Sequence, residues 1–155
     1  MDLESRIDVR PARRRDLTPV TDIEAASFGR HAWPEQAFVE LFDKCPELFF
    51  IARTSRRIAG YSIACVERSR AELISIAVRP EFRGRGVARA LIEETIAIVQ
   101  QHGIVAMRLM VELGNDDAIA LYRRLGFVRL RTVPNYYGNG RNGWRMELLL
   151  RRRGR

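Results

Sequence analysis

The segment Ile74-Ser75-Ile76-Ala77-Val78-Arg79-Pro80-Glu81-Phe82-Arg83-Gly84-Arg85-Gly86-Val87-Ala88 changes character twice along its length. It opens as a largely apolar run of strand type, passes through a loop with two glycines spaced two apart, and enters a helical pattern at Val87. The first amides of a helix have no intrahelical acceptor, and the aligned peptide dipoles favour negative charge at that end. Glycines let the backbone curl closely around an anion, Ala88 keeps the first turn thin, and Arg83 and Arg85 add charge-assisted contacts. The stretch reads as a cradle for a pyrophosphate. A nucleoside-triphosphate loop would finish in Gly-Lys-Ser/Thr, where this chain has Gly86-Val87-Ala88. A dinucleotide fingerprint needs a third glycine, a strand near the domain start and an acidic residue about 20 positions on. Neither fits. The competing reading is a surface turn with solvated arginines, and the loop alone leaves it open.

Outward from the loop, Val87, Leu91, Ile92, Thr95, Ile96, Ile98 and Val99 form the apolar stripe of a long helix that Gly103 ends. Val105–Val111 predicts a strand. Asn115 or Asp116 caps a short helix through Leu125, closed by Gly126. Phe127–Val133 and Trp144–Leu150 predict two strands around the polar loop Pro134–Gly143. Upstream, Glu72–Val78 is a largely buried strand, preceded by a hairpin of Leu48–Arg53 and Arg57–Glu67 about Thr54-Ser55-Arg56. Ile7-Asp8-Val9-Arg10 alternates as a short strand. Asp16 or Thr18 caps a helix through Thr21–Phe28, with Leu17, Val20, Ile23 and Glu24 at helical spacing. Pro34 suits the first turn of a second helix to Lys44, with Ala37, Phe38, Leu41 and Phe42 on one face. The order β-α-α-β-β-β-α-β-α-β-β predicts one mixed α/β (α+β) domain over residues 7–150, with flexible termini at 1–6 and 151–155.

The 155 residues suffice for one domain with a real core but not for two. With 46% hydrophobic and 30% charged residues, global disorder is excluded. No apolar run reaches the roughly 18 residues of a membrane span, and Met1–Arg15 lacks the apolar stretch of a secretory signal. Basic residues outnumber acidic ones 27 to 19, Lys44 is the only lysine, and four of the excess charges lie in the tail Arg151–Arg155. A phosphate-bearing or acidic partner suits this balance, and a DNA-binding role is not required. Cys45 and Cys65 match neither a disulfide scaffold nor a metal site; without an export signal they read as reduced buried thiols, and the expected compartment is the cytoplasm. His31 and His102, at turns or helix ends, read as surface residues without a role.

Arg83-Gly84-Arg85-Gly86-Val87-Ala88 fits the signature Arg/Gln-x-x-Gly-x-Gly/Ala. About 30 residues on, Asn115-Asp116-Asp117-Ala118-Ile119-Ala120-Leu121-Tyr122-Arg123-Arg124-Leu125-Gly126-Phe127 fits Asn-x-x-Ala-x-x-Leu-Tyr-x-x-x-Gly-Phe. In this order the two patterns resemble the GCN5-related N-acetyltransferase (GNAT) superfamily, over nearly the whole chain. Ile23-Glu24, Trp33-Pro34-Glu35-Gln36-Ala37-Phe38 and Asn135-Tyr136-Tyr137 resemble its RimI-type branch, whose members acetylate the α-amine of proteins such as a ribosomal subunit.

The resemblance implies a mixed, mostly antiparallel central sheet flanked by about four helices. It implies acetyl-CoA as donor, CoA as product and no metal. The strands Glu72–Val78 and Val105–Val111 would start side by side and splay, with the pantetheine arm against Ile76, Ala77 and Val78. The diphosphate would lie on Arg83, Gly84, Arg85, Gly86, Val87 and Ala88. Asn115 and Ala118 would approach the pantetheine, and Tyr122 would aim its hydroxyl at the sulfur as general acid. Trp33, Tyr136, Tyr137 and Trp144 would wall the acceptor groove. The RimI-type glutamate position is Met110 here, which cannot take a proton. Glu72, where the histone-acetylating branch places its base, and Glu112, on the face of Met110 by alternation, are the candidates. A covalent acetyl-Cys65 lacks a partner histidine.

Acceptor chemistry bears on the missing base. An α-amine of pKa about 7.8 is roughly 15% neutral at pH 7, and a lysine of pKa about 10.4 roughly 0.04%. A weak or water-relayed base therefore suits an α-amine. The leading expectation is acetyl transfer to a protein N-terminus, that of a ribosomal protein included, by a monomer or homodimer without DNA or membrane contacts. The alternatives are a small-molecule amine acetyltransferase and a catalytically silent acetyl-CoA-binding or ribosome-associated module, whose RNA contact the arginine tail would supply.

Overall fold

The computed structural model describes residues 6–151. The expectation of flexible termini at 1–6 and 151–155 thus lies outside the described residues, Arg6 and Arg151 excepted. Among the described residues the elements run β1 (Asp8–Pro11), α1 (Leu17–Phe28), α2 (Glu35–Lys44), β2 (Phe49–Thr54), β3 (Arg57–Glu67), β4 (Arg70–Val78), α3 (Val87–Gln101), β5 (Ala106–Glu112), α4 (Asp116–Arg124), β6 (Val128–Val133) and β7 (Gly143–Leu149). This is the order read from the sequence. The strands are hydrogen-bonded as β1-β2-β3-β4-β5-β7-β6. Pairings β1–β2, β2–β3, β5–β7 and β6–β7 are antiparallel, and β4–β5 is parallel.

The chain forms two compact units. The first comprises the chain to Cys65 together with Ile74–Ile98. Its core joins Leu17, Val20 and Ile23 of α1 and Phe38 of α2 to Phe49, Ile51, Tyr61, Ile63 and Ala77 of the strands. Phe38 meets Tyr61 edge-on with ring centroids 5.6 Å apart. Full burial of a side chain such as Phe38 contributes about 1.5–3 kcal/mol. The first helix starts at Leu17, and Asp16, though at its N-cap, makes no side-chain cap bond. Its carboxylate accepts instead from the Arg13 amide at 2.7 Å and from Arg10 at 2.8 and 3.1 Å. Burial alone would raise the Asp16 carboxyl; these donors outweigh it and hold the pKa below its ordinary value. Pro34 is extended (ψ 161°) and occupies the N-cap of α2 rather than its first turn.

The second unit comprises Val66–Leu73 and the chain from Val99 onward. The start of β4 pairs with β5 from Arg70↔Ala106 to Leu73↔Leu109, and β5 continues into β7. Helix α4 buries Ile119 and Tyr122. Asn115 caps this helix as expected, its side-chain oxygen accepting from the Ala118 amide at 3.4 Å. Gly126 follows the helix at φ +101°, where glycine alone is at ease.

The cysteine expectation is overturned. Cys45, just past α2, and Cys65, in β3, form a disulfide across a separation of 20 residues. The β2–β3 register explains it: Phe49 pairs with Ile63, so two residues further along β3 the strand is level with the turn after Cys45. Counting cysteines cannot reveal a proximity that this pairing creates. The bond removes Cys65 as an acetyl carrier, and the cytoplasmic expectation loses the support it drew from reduced thiols. No helix among the described residues is long and apolar enough to cross a membrane. Cross-linking a loop of this size stabilises by about 3 kcal/mol through the unfolded state. Reductant should therefore lower Tm by about 6–12 °C; an unchanged melting curve under full reduction, verified by thiol titration, contradicts this.

Candidate functional site

In the first unit, β4 runs on past its last β5 partner, Leu73, to Val78. Ala77 is buried in the core, and Ile76 and Val78 are half-buried. A short turn, Pro80–Phe82, follows, with Phe82 buried as its anchor. The Arg83 Nε donates to the Val78 carbonyl at 3.1 Å, and a terminal nitrogen reaches Ser27 Oγ at 3.5 Å. Arg83 thus ties the loop back to β4. Arg85 lies 5.7 Å from the Phe82 ring centroid. Gly84 and Gly86 have φ of +74° and +84°, the left-handed region that favours glycine. Ala90 donates to the Gly86 carbonyl at 3.0 Å. The amides ahead of Ala90 in the first turn therefore have no helical carbonyl behind them.

Against the end of β4 and the start of α3, which flank this loop, lies Gly60 of β3, which the sequence did not single out. A Cβ there would sit 2.7 Å from the Ala77 carbonyl oxygen and 3.2 Å from a Val87 methyl. The missing side chain lets β3, the end of β4 and the start of α3 pack together.

The same unit holds a buried polar junction that was also missed. Glu24 of α1 is 2% exposed. One carboxylate oxygen accepts from the Tyr61 hydroxyl at 2.6 Å, and the other from the Trp33 amide at 2.9 Å. Tyr61 also contacts Ser75 Oγ at 2.9 Å. Burial pushes the Tyr61 phenol well above its ordinary pKa, and the Glu24 charge adds to it. The signal was present in the sequence: an acidic residue on the apolar stripe of α1. Trp33 is partly exposed and packs 6.0 Å from Phe38.

In the second unit, Tyr122 is 6% exposed, edge-on to Phe127 at 5.9 Å, and burial pushes its phenol up to about 12. Both carboxylates considered as base are held by arginines. One Arg145 nitrogen donates to both oxygens of Glu72, at 2.7 and 2.8 Å. Arg141 donates to Glu112 at 2.5 and 3.3 Å. The arginines lie 73 and 29 residues away in sequence, beyond local reading. Met110 packs against Gly143, where a Cβ would be 2.8 Å from its methyl. Tyr136 and Tyr137 meet edge-on at 4.9 Å. Burial raises the Tyr137 phenol, with Tyr136, Tyr122 and Glu112 adding to the shift. The unit therefore brings Glu112, Tyr122, Tyr137 and Arg141 together. The guanidinium groups of Arg123 and Arg129 lie 5.3 and 5.2 Å from the Trp144 ring centroid. His31 and His102 are exposed.

A protein-family model described as Acetyltransferase (GNAT) family matches residues 17–127. N-alpha-acetyltransferase MAK3 of Arabidopsis thaliana is 33% identical over 109 residues, covering 67% of this chain and 57% of that protein. The ribosomal protein bS18-alanine N-acetyltransferase of Salmonella typhimurium is 41% identical over 81 residues, covering 52% of this chain and 55% of that protein. The crystal structure of the ribosomal-protein-S18-alanine N-acetyltransferase from Escherichia coli is similar at a TM-score of 0.85 and 27% identity, over 96% of this chain and 97% of that one. The chain thus spans little more than half the length of these two curated relatives.

Proposed function

The chain belongs to the acetyltransferase (GNAT) family, and we propose that it transfers acetyl from acetyl-CoA to the α-amine of a protein N-terminus by direct attack. The observation that carries this reading is the pair of left-handed glycines, Gly84 and Gly86, between the end of β4 and the first turn of α3. The residues fit the donor. The amides of Gly84–Ala88 suit a diphosphate, Arg85 adds charge, and Arg83 holds the loop in shape through the Val78 carbonyl. The backbone of Ile76–Val78 beyond the β5 ladder is where the pantetheine amides would pair. Asn115 and Ala118 shape the start of α4 and with it the placement of Tyr122.

Tyr122 gives its proton to the departing thiolate. A phenol at about 12 stays protonated at neutral pH and so is available as a proton donor. An α-amine is the favoured acceptor because both Glu72 and Glu112 are already occupied by guanidinium groups, and an amine that is partly neutral at pH 7 needs only a weak or relayed base. The names of the MAK3 and bS18-alanine enzymes point the same way.

The same occupied carboxylates, with Met110, favour a second reading: a module that binds acetyl-CoA without turning it over. Acetyl-CoA turnover with peptides beginning Ala, Ser or Met, beside a set of small amines, separates the readings. CoA release with one or more peptides is expected. Release with small amines alone moves the acceptor to that class, and tight binding without transfer supports the silent module.

A further inference from the structure

We infer that Ser75, Tyr61 and Glu24 form a proton relay that deprotonates the acceptor amine, with Ser75 as the member that meets it. The inference rests on the proposed amine acetyltransferase activity. Its starting point is the direction of the hydrogen bonds. The Tyr61 hydroxyl donates its only hydrogen to the Glu24 carboxylate. Ser75 must then be the donor in the 2.9 Å contact with Tyr61. The chain therefore points one way, from Ser75 through Tyr61 to Glu24, and leaves the Ser75 oxygen free to accept. Ser75 is half-buried, whereas Tyr61 and Glu24 are fully enclosed. It precedes Ile76, where the donor-facing backbone of β4 begins.

The electrostatics select this carboxylate. Glu72 and Glu112 are each held by a guanidinium, while Glu24 accepts from a phenol and a backbone amide, both uncharged. The groups facing the junction are Phe38 from α2, Phe49 from β2 and Ser75 from β4, with Glu24 and Tyr61 its titratable members. The adjoining loop carries Arg30 and His31, both exposed.

In the step itself an ammonium proton passes to Ser75 Oγ, the Ser75 proton to Tyr61 and the Tyr61 proton to Glu24. The shifts are concerted, so no free tyrosinate forms. The neutral amine then bonds to the acetyl carbon, the carbon–sulfur bond breaks with its electron pair left on sulfur, and Tyr122 protonates the sulfur. The second amine proton leaves to water, Tyr122 is reprotonated from water, and Glu24 returns its proton along the chain. One proton is released per acetyl transferred. Tyr61 and Glu24 act through Ser75 and are positioning residues in this scheme; Ser75 touches substrate.

The test is the pH–rate profile of Ser75→Ala and Tyr61→Phe against wild type, from pH 6.5 to 10, with a peptide acceptor and with acetyl-CoA affinity measured alongside. At pH 7 kcat/KM should fall about sevenfold in each variant, the most that deprotonating an amine already roughly 15% neutral can contribute. By pH 9.5 an α-amine is about 98% neutral and needs no base, so the deficit should shrink below about threefold. Acetyl-CoA Kd should not move. A loss of equal size at every pH, or no loss in Ser75→Ala, overturns the relay. Should Tyr61→Phe fold poorly, Ser75→Ala at the accessible end carries the test alone. A wild-type protein that acetylates no amine removes the proposed function and the relay with it; a pH-independent loss in an active wild type removes the relay only.

Discussion

Tyr122→Phe should lower kcat about 100-fold while leaving acetyl-CoA affinity within about twofold. The substitution deletes one oxygen from a side chain that is almost fully enclosed and edge-on to Phe127, so ring packing survives. What disappears is a proton donor that burial keeps protonated, with its pKa pushed up to about 12. Without it the thiolate must leave with no positioned acid to neutralise its charge as it forms. Because the interaction matters at the departing sulfur and not in the bound ground state, the effect belongs in kcat. Steady-state kinetics with a titration of acetyl-CoA separates the two. An unchanged kcat takes Tyr122 out of the chemistry, and a loss confined to KM makes it a binding residue.

Gly60→Ala should cost about 3 kcal/mol of stability, or roughly 6–12 °C in Tm. The added methyl would stand 2.7 Å from a backbone oxygen, that of Ala77, with the Val87 and Val78 side chains at 3.2 and 3.3 Å. Flexible side chains could yield by a few tenths of an ångström. The carbonyl belongs to β4 and can move only with the strand. Since that strand end and the start of α3 frame the glycine loop, the variant should also bind acetyl-CoA more weakly, by about 10-fold or more. Thermal melts with and without ligand check both parts. A wild-type Tm would show that the strand shifts at little cost.

The order of elements was legible because each carries its own period. The apolar stripe of α3 from Val87 to Val99 and the short apolar strands around it are local features, and the structure places helix and strands there. The glycine loop was legible for the same reason: Gly84 and Gly86 sit where a tight turn needs left-handed backbone. What escaped was set by partners distant in sequence. The Cys45–Cys65 bond follows from the β2–β3 register. The pairing of Glu72 with Arg145 and of Glu112 with Arg141 depends on β7 and its preceding loop returning to carboxylates far upstream. Sequence showed two free acids where the fold makes two ion pairs. Gly60 is a loss of a different kind, since a glycine within a strand says that something approaches closely without saying what. Glu24 lay between these cases: visible as an acid on the buried stripe of α1, but with Tyr61 and Trp33 as partners that only the packed unit supplies.

The most direct measurement is a calorimetric titration of the folded, unreduced protein with acetyl-CoA, and in parallel with pantetheine, which keeps the arm but lacks the diphosphate. If the Gly84–Ala88 amides grip the diphosphate, acetyl-CoA should bind with Kd of about 10 μM, near −7 kcal/mol, and pantetheine at least about 100-fold more weakly. No heat with acetyl-CoA at millimolar concentration, or equal affinity for the two ligands, would contradict it.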